Sequence, residues 1–268
     1  MMGGISSASL AINREVIMVG KMLIQGLLAG LLASLISFGF ARTIGEPSID
    51  RAIAFEQQQN AKEAAMSGVH GHDEELVSRQ TQAGLGLLTG VVAYGTSVGG
   101  LFALTFAVLY GRVKSMKASK LSMVLAGAAF IALVIVPMLK YPANPPSIGD
   151  PETIGARTAL YFLFLAYSVA TMIVSILARY AWIQRLGEWN ASLVATGLYI
   201  GLIAAGLIFF PTVNEVPAQF PAQVLWEFRK AAAGVQFVIW GTLGVLFGAF
   251  FEHTTMVASS SKTRGVGL

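Results

Sequence analysis

Residues 157–178 read RTALYFLFLAYSVATMIVSILA and residues 191–210 read ASLVATGLYIGLIAAGLIFF, and these two runs decide the fold class. Each is close to the ~20 residues an α-helix needs to cross a hydrocarbon layer of ~30 Å. Neither alternates apolar with polar residues as a barrel strand does. A helix then remains the way to satisfy every backbone group in lipid. Between them Arg179 and Arg185 mark a short polar loop. Working outward, four further runs share this character, at residues 22–40, 84–110, 121–139 and 231–251. The chain reads as an all-α integral membrane protein, a polytopic helical bundle of about six transmembrane helices, with five as the alternative count.

Composition agrees. Charged residues make up 12% and apolar residues 55% of the chain, whereas a soluble domain carries about 25% charged residues. There is no cysteine, which excludes disulfides and thiolate metal sites. The net charge of +4 does not describe a nucleic-acid binder, because the basic residues lie in short strips beside apolar runs. Residues 1–21 read as a cytoplasmic extension, 22–251 as the membrane domain and 252–268 as a cytoplasmic tail. Met18 and Met22 are alternative starts. The first apolar run is long and lacks an obvious small-x-small cleavage site, so it reads as a retained helix rather than a signal peptide.

Orientation follows from lysine and arginine. Arg112, Lys114, Lys117 and Lys120 crowd one short loop. Arg179 and Arg185 mark another, Lys262 and Arg264 the tail, Arg14 and Lys21 the start. With six spans all of these fall on one side, which the positive-inside rule makes the cytoplasm. Among the acids only Glu15, Glu188 and Glu252 share that side. Both termini are thus expected in the cytoplasm of a bacterial plasma membrane, and the one long loop, residues 41–82, outside.

That loop carries His70-Gly71-His72-Asp73-Glu74-Glu75. Imidazole and carboxylate suit divalent cobalt, nickel or zinc, so His70, His72, Asp73 and Glu74 are a candidate capture string; incidental histidines on a polar loop are the other reading. Upstream, Ile49, Ala52, Ile53 and Phe55 recur at helical spacing after Pro47, and residues 47–65 read as an amphipathic interfacial helix. Glu46 and Asp50, four apart, could share a cation or simply favour the helix N-terminus.

Two proline-rich stretches lie on the same expected side. Lys140-Tyr141-Pro142-Ala143-Asn144-Pro145-Pro146 leads to Gly149-Asp150-Pro151-Glu152, where Asp150 is placed to cap a helix with Pro151 at its first position. Asn214-Glu215-Val216-Pro217 leads through Phe220-Pro221 to Trp226, Phe228 and Arg229. Pro221 is expected to open a short helix, with Arg229 a partner for Glu215 or Glu227. The first stretch reads either as a stiff turn with a cap or as a rigid vestibule presenting Asn144, Asp150 and Glu152; in the second, Trp226 and Phe228 read as an aromatic anchor at the headgroup level. His253, beside Glu252, reads as interfacial. The pairs Gly26/Gly30, Gly86/Gly90, Gly95/Gly99, Gly197/Gly201 and Gly244/Gly248 are expected to seat close helix contacts.

No phosphate loop, H-E-x-x-H or G-x-S-x-G is present, and the chain is not expected to be an enzyme. The apolar runs hold no deeply placed charge. An ion path would have to use neutral groups such as Gln25, Thr89, Tyr94, Thr96, Tyr167, Thr171 or Gln236, each also an ordinary interhelical bonding group.

In Gly45-Glu46-Pro47-x-Ile49-Asp50-x-Ala52-Ile53, in Lys140-Tyr141-Pro142-Ala143-Asn144-Pro145-Pro146 through Asp150-Pro151-Glu152-Thr153 to Arg157-Thr158, and in Asn214-Glu215-Val216-Pro217 through Leu225-Trp226-x-Phe228-Arg229, the chain resembles the cobalt transporter subunit CbtA family. The resemblance covers residues 22–251. It implies an importer of divalent cobalt serving cobalamin synthesis, with no tightly bound cofactor and a small single-span, histidine-rich CbtB partner. That family is usually described with five spans and with a more histidine-rich loop. Taken with the motifs, Glu46, Asp50, Asn144, Asp150, Asn214 and Glu215 are expected to line one oxygen-rich mouth. A permease for another divalent cation or small solute, and a non-transporting scaffold for a metal-handling partner, are the rival readings.

Overall fold

The computed structural model describes residues 7–67, 77–113, 116–146 and 148–265. The described residues are helical and contain no strand. In chain order they form α1 (Ser7–Phe40), α2 (Glu46–Ser67), the single turn α3 (Arg79–Thr81), α4 (Leu87–Tyr110), α5 (Ala118–Phe130), α6 (Val136–Lys140), α7 (Ile154–Phe209) and α8 (Ala222–Gly265). Among the described residues five helical stretches are long and apolar enough to cross a membrane: Val16–Met66, Arg79–Tyr110, Ala118–Lys140, Pro151–Phe209 and Ala222–Met256.

One of these is folded double. Helix α7 has 56 residues, about 84 Å if straight, nearly three hydrocarbon thicknesses. At Gly187 the backbone leaves the helical region, with φ 76° and ψ 167°. A β-carbon is poorly tolerated at such a φ, so glycine fits the corner. Contacts across it run antiparallel: Arg179 Nε donates to Ser192 Oγ at 2.9 Å, the Tyr167 hydroxyl to the Leu202 carbonyl, and the Phe164 and Phe210 rings meet at 5.0 Å. The arms 154–186 and 188–209 are each long enough to span. The count is five taken helix by helix and six taken arm by arm.

Two expected boundaries are corrected. The last span was expected to start near residue 231 after a short separate helix. Instead α8 runs unbroken for 44 residues from Ala222, directly after Pro221; Glu227, Arg229 and Lys230 are good helix formers and do not interrupt it. Nor does the first span stop at Phe40, because a π-helical turn, Ala41–Gly45, joins α1 to α2. A second π turn, Ile131–Ile135, joins α5 to α6, with the Val136 N–H reaching back five residues to the Ile131 carbonyl. Both turns are followed two residues later by proline, Pro47 and Pro137. Proline has no N–H and its ring crowds the carbonyl four residues back, so the preceding turn widens without the helix ending. A third π turn, Gln82–Gly86, has no such proline.

The chain divides into two compact units. The first comprises Met1–Thr43, Glu75–Ala128 and Gly234–Leu268. Its seam is made of glycine: a β-carbon on Gly30 would lie 2.2 Å from the Gly95 carbonyl oxygen, and one on Gly99 would lie 2.1 Å from that of Gly26. Helices α1 and α4 therefore touch backbone to backbone. Along α8, Gly244 and Gly248 admit Ala126 and Ser119, the Ser122 hydroxyl donates to the Gly244 carbonyl, and Gln25 donates to Thr254. Phe102, Phe106, Phe247 and Phe251 fill the rest with edge-on ring contacts. Gly90, Gly197 and Gly201 have nothing within 4 Å, so the pairs Gly86/Gly90 and Gly197/Gly201 seat no described helix.

The second unit comprises Ile44–Glu74 and Ala129–Ala233. It holds α2, α6, the α7 hairpin, the two proline-rich stretches and the first turns of α8. One apolar cluster joins Ala52 and Phe55 of α2 to Ile148, Val216, Phe220, Val224 and Leu225. Another packs Val136 and Tyr141 against Phe164, Tyr167, Tyr199, Ile203 and Phe210.

Candidate functional site

The three motifs singled out in the sequence all lie in the second unit and are tied to one another there. Helix α2 is held by the Ala52 and Phe55 contacts and by an ion pair between Arg51 and Glu227 of α8. The proline-rich stretches are held by a clasp centred on Glu215.

The clasp is assembled from local geometry. Asp150 caps the short turn Pro151–Thr153, accepting from the Glu152 N–H at 2.9 Å, with Pro151 at the first position where its missing N–H is harmless. This leaves the Asp150 N–H and the Thr153 hydroxyl facing Glu215. Oε2 of Glu215 accepts from the Asp150 N–H at 2.8 Å, and Oε1 accepts from Thr153 Oγ1 at 2.6 Å. Arg157 completes it, with Nε 3.2 Å from Glu215 Oε2 and Nη2 donating to the Asp150 carbonyl at 3.0 Å. Gly149, at φ 120°, supplies the room: a β-carbon there would sit 2.3 Å from Arg157 Nη1. The Thr153 hydroxyl first, then the Asp150 N–H, then the Arg157 charge hold the Glu215 carboxyl below the usual carboxylate range.

A second set of bonds fixes the other end of the first proline-rich stretch. Lys140 Nζ donates to the Leu207 carbonyl at 2.8 Å, a cation at the C-terminus of the second α7 arm. The Tyr141 hydroxyl donates to the Pro211 carbonyl. Arg229 donates to the Ala143 carbonyl at 3.2 Å and to Asn144 Oδ1 at 3.0 Å. The expected pairing of Arg229 with Glu215 or Glu227 is therefore corrected: Arg157 and Arg51 take those two acids, and Arg229 serves the proline-rich backbone.

The predicted site residues accordingly play different parts. Both Glu215 oxygens and the Asn144 carbonyl oxygen are engaged in the clasp. Asp50, Asp150, Glu152 and Asn214 are exposed, while Glu46 is only 4% exposed, so the i, i+4 pair on α2 does not present two equally accessible carboxylates. His70, His72, Asp73 and Glu74 lie outside the described residues. Among the described residues no three His, Asp or Glu side chains form a ready metal cage. Arg157, Thr153 and Gly149 stand in the quoted motif, but the sequence reading gives them no part in the site; the structure makes them members of the clasp. Arginine seven residues after a capped Asp-Pro, with glycine before it, is the pattern that could have shown them.

No curated protein and no solved structure matches the chain. One family model does, that of the probable cobalt transporter subunit CbtA, and it spans residues 19–252. That span takes in most of the chain and all three motifs, so the chain belongs to the CbtA family of probable cobalt transporter subunits.

Proposed function

We propose that the chain is the multi-pass subunit of an importer that brings Co2+ across a bacterial plasma membrane for cobalamin synthesis. In this reading both termini are cytoplasmic, as the lysines and arginines of the short loops favour. Residues 41–82 and the two proline-rich stretches then face outward. The observation that carries the reading is the gathering of all three family motifs into one clasped unit. A rigid clasp of three arginines and their acceptors holds Asp50, Asp150, Glu152 and Asn214 exposed beside it.

Oxygen ligands without thiolate suit a hydrated divalent cation that is caught and passed on rather than stored. With no three-ligand group among the described residues, high-affinity capture needs donors from elsewhere. His70, His72, Asp73 and Glu74 are one source, and a single-span, histidine-rich CbtB-like subunit is another. The chain acts as a transporter subunit and not as an enzyme.

Uptake of labelled cobalt by a transport-deficient host tests this, with the chain alone and with the small partner. Cobalt accumulation that requires the chain is the expected result. Protein present in the membrane with no accumulation in either arm would remove cobalt import. Neutralising Asp50 and Asp150 together is expected to weaken apparent affinity for cobalt; unchanged uptake at limiting cobalt would sink the outer acidic face.

A further inference from the structure

Among the described residues the chain passes from one compact unit to the other at three places, each inside continuous helix. The first crossing, Thr43 to Ile44, falls within the π turn Ala41–Gly45. The second, Ala128 to Ala129, lies just before the π turn Ile131–Ile135. The third, Ala233 to Gly234, lies within α8 in the run Ala231-Ala232-Ala233-Gly234. Turns of this kind are rare inside α-helices and gather at functional positions. Of the three π turns in the described residues, two sit at or beside a crossing; the third, Gln82–Gly86, lies in the first unit.

The residues at the crossings make a softer helix than packing requires. Gly39, Gly45 and Gly127 flank the first two, and a β-carbon on any of them would meet nothing within 4 Å. Alanine would fit that space and hold a helix better, so close contact does not account for glycine there. What glycine adds is backbone freedom. Proline weakens the same places. Pro47 deprives the Thr43 carbonyl of its donor four residues on, and Pro137 does the same to Leu133.

On either side the helices are held firmly. In the second unit Ser168 Oγ donates to the Ala132 carbonyl at 2.7 Å, and Val134, Val136 and Pro137 are buried. In the first unit the Ser37 hydroxyl donates to the Val235 carbonyl at 3.0 Å, and a β-carbon on Gly234 would lie 2.7 Å from the Phe40 ring. Helices α1 and α8 therefore reach their crossings clamped together. Firm ends with a soft stretch between them are what a hinge needs: a few residues absorb the backbone change while packed bodies move whole.

We infer that residues 39–45, 127–131 and 231–234 form one hinge of three helix crossings, about which the two units move as bodies. The inference rests on the import reading for its purpose and supplies that reading with a conformational step. Rocking of one packed bundle against another is how many membrane carriers change the side to which a substrate is open. Three crossings that yield together allow it with the packing of both units intact.

The chain has no cysteine, so introduced cysteines can be spin-labelled without background. One labelled pair, Lys120→Cys with Gln184→Cys, joins exposed positions of different units; a control pair, Gln184→Cys with Ala218→Cys, lies within the second. Distances are read by double electron–electron resonance in nanodiscs, with and without diamagnetic Zn2+ as the probe ion. A broad or two-peaked distribution is expected for the first pair and a narrow one for the control. The variant Gly45→Ala/Gly127→Ala, whose new β-carbons meet no neighbour, should narrow the first distribution and lower cobalt uptake several-fold without lowering the melting temperature. Pro137→Ala, which gives the Leu133 carbonyl its donor back, is the second variant and should act the same way. Loss of uptake with no loss of stability is a result that a merely structural role would not give. A first pair as narrow as the control in both conditions overturns the hinge, and cobalt import is then judged on wild-type uptake alone. A broad first pair that both variants leave unchanged overturns the assignment to these crossings. Narrowing by either variant of a chain that takes up no cobalt supports the hinge and removes the import reading.

Discussion

The two units of this protein solve one problem, close helix contact in lipid, by opposite means. The first removes side chains: Gly26, Gly30, Gly95 and Gly99 let α1 and α4 meet through their backbones. The second keeps long side chains and ties them down: Arg51, Lys140, Arg157 and Arg229 reach across to acids, amides and carbonyls. Lipid gives helices no hydrophobic reason to associate, so contact must come from packing or polar bonds. A glycine seam is rigid and chemically silent. A clasp built from charges fixes loops and responds to pH, and the exposed Asp50, Asp150, Glu152 and Asn214 lie in the same unit.

The largest effect should follow from filling the seam. In Gly99→Leu the new β-carbon meets the Gly26 carbonyl oxygen at 2.1 Å, and the Gly30 Cα lies at 2.9 Å. No rotamer relieves a clash that begins at Cβ with backbone. Overpacking a tight contact typically costs 1–3 kcal/mol, and backbone against backbone should reach or exceed the top of that range. Size-exclusion of detergent-extracted protein should show aggregation or loss of the monodisperse peak. A normal profile and unchanged melting would mean that α1 and α4 are not held by this seam.

The clasp should be hit less hard and in a diagnostic way. Gly149→Ala forces a side chain into φ 120° and displaces the Arg157 guanidinium, a strain of order 1–3 kcal/mol. Arg157→Ala removes the same guanidinium from Glu215 and Asp150. The two changes damage one contact, so together they should lower melting temperature by clearly less than the sum of the separate losses. Strict additivity would show that Gly149 matters only for its backbone.

How far the sequence reveals all this differs between the units for a physical reason. The apolar runs are legible because ~20 residues without charge have one stable outcome in lipid. The Asp150-Pro151 cap is legible because it depends on neighbours in the chain; glycine spacing is legible only as permission for close approach, since Gly26/Gly30 and Gly95/Gly99 meet each other while Gly197/Gly201 meet nothing within 4 Å. The partner of Arg229 was not, since a long side chain chooses among acceptors that only the fold brings near. Continuity of α1 into α2 was hidden because Pro47 reads as the first turn of a separate helix, whereas a π turn joins the two. The same logic hid the π turn that precedes Pro137. Of the candidate site, the acids were legible as residue types, but which of them are spent on holding the fold was not.

The pH response of the clasp should be smaller still. Glu215 has a carboxyl held below its usual range of about 4.5. A folded-state value below the unfolded one means the clasp contributes fully above the ordinary carboxylate range and loses that contribution as pH falls through the depressed value. Between neutral pH and about pH 5 the melting temperature should therefore owe nothing to Glu215 titration. Below that, wild type should converge on Glu215→Gln, which is destabilised at neutral pH and lacks this step. Parallel acid profiles for the two proteins would show that Glu215 is not the clasp's titrating member.

The smallest effect sharpens the contrast most, because it uses the same motif in a different setting. Gly197 and Gly201 have the four-residue spacing of the seam, yet a β-carbon at either would meet nothing within 4 Å. Alanine is favoured over glycine in a helix by up to about 1 kcal/mol. Gly197→Ala/Gly201→Ala should therefore leave the isolated chain as stable as wild type or slightly more so. Gly30→Ala, placing Cβ 2.2 Å from the Gly95 carbonyl oxygen, should clearly destabilise it. The comparison separates spacing from contact: four residues between glycines permits close approach, and only a helix on the other side turns that permission into stability. Melting of the three proteins in one detergent decides it. A loss in the 197/201 variant equal to that of Gly30→Ala would place a packing partner on the second α7 arm.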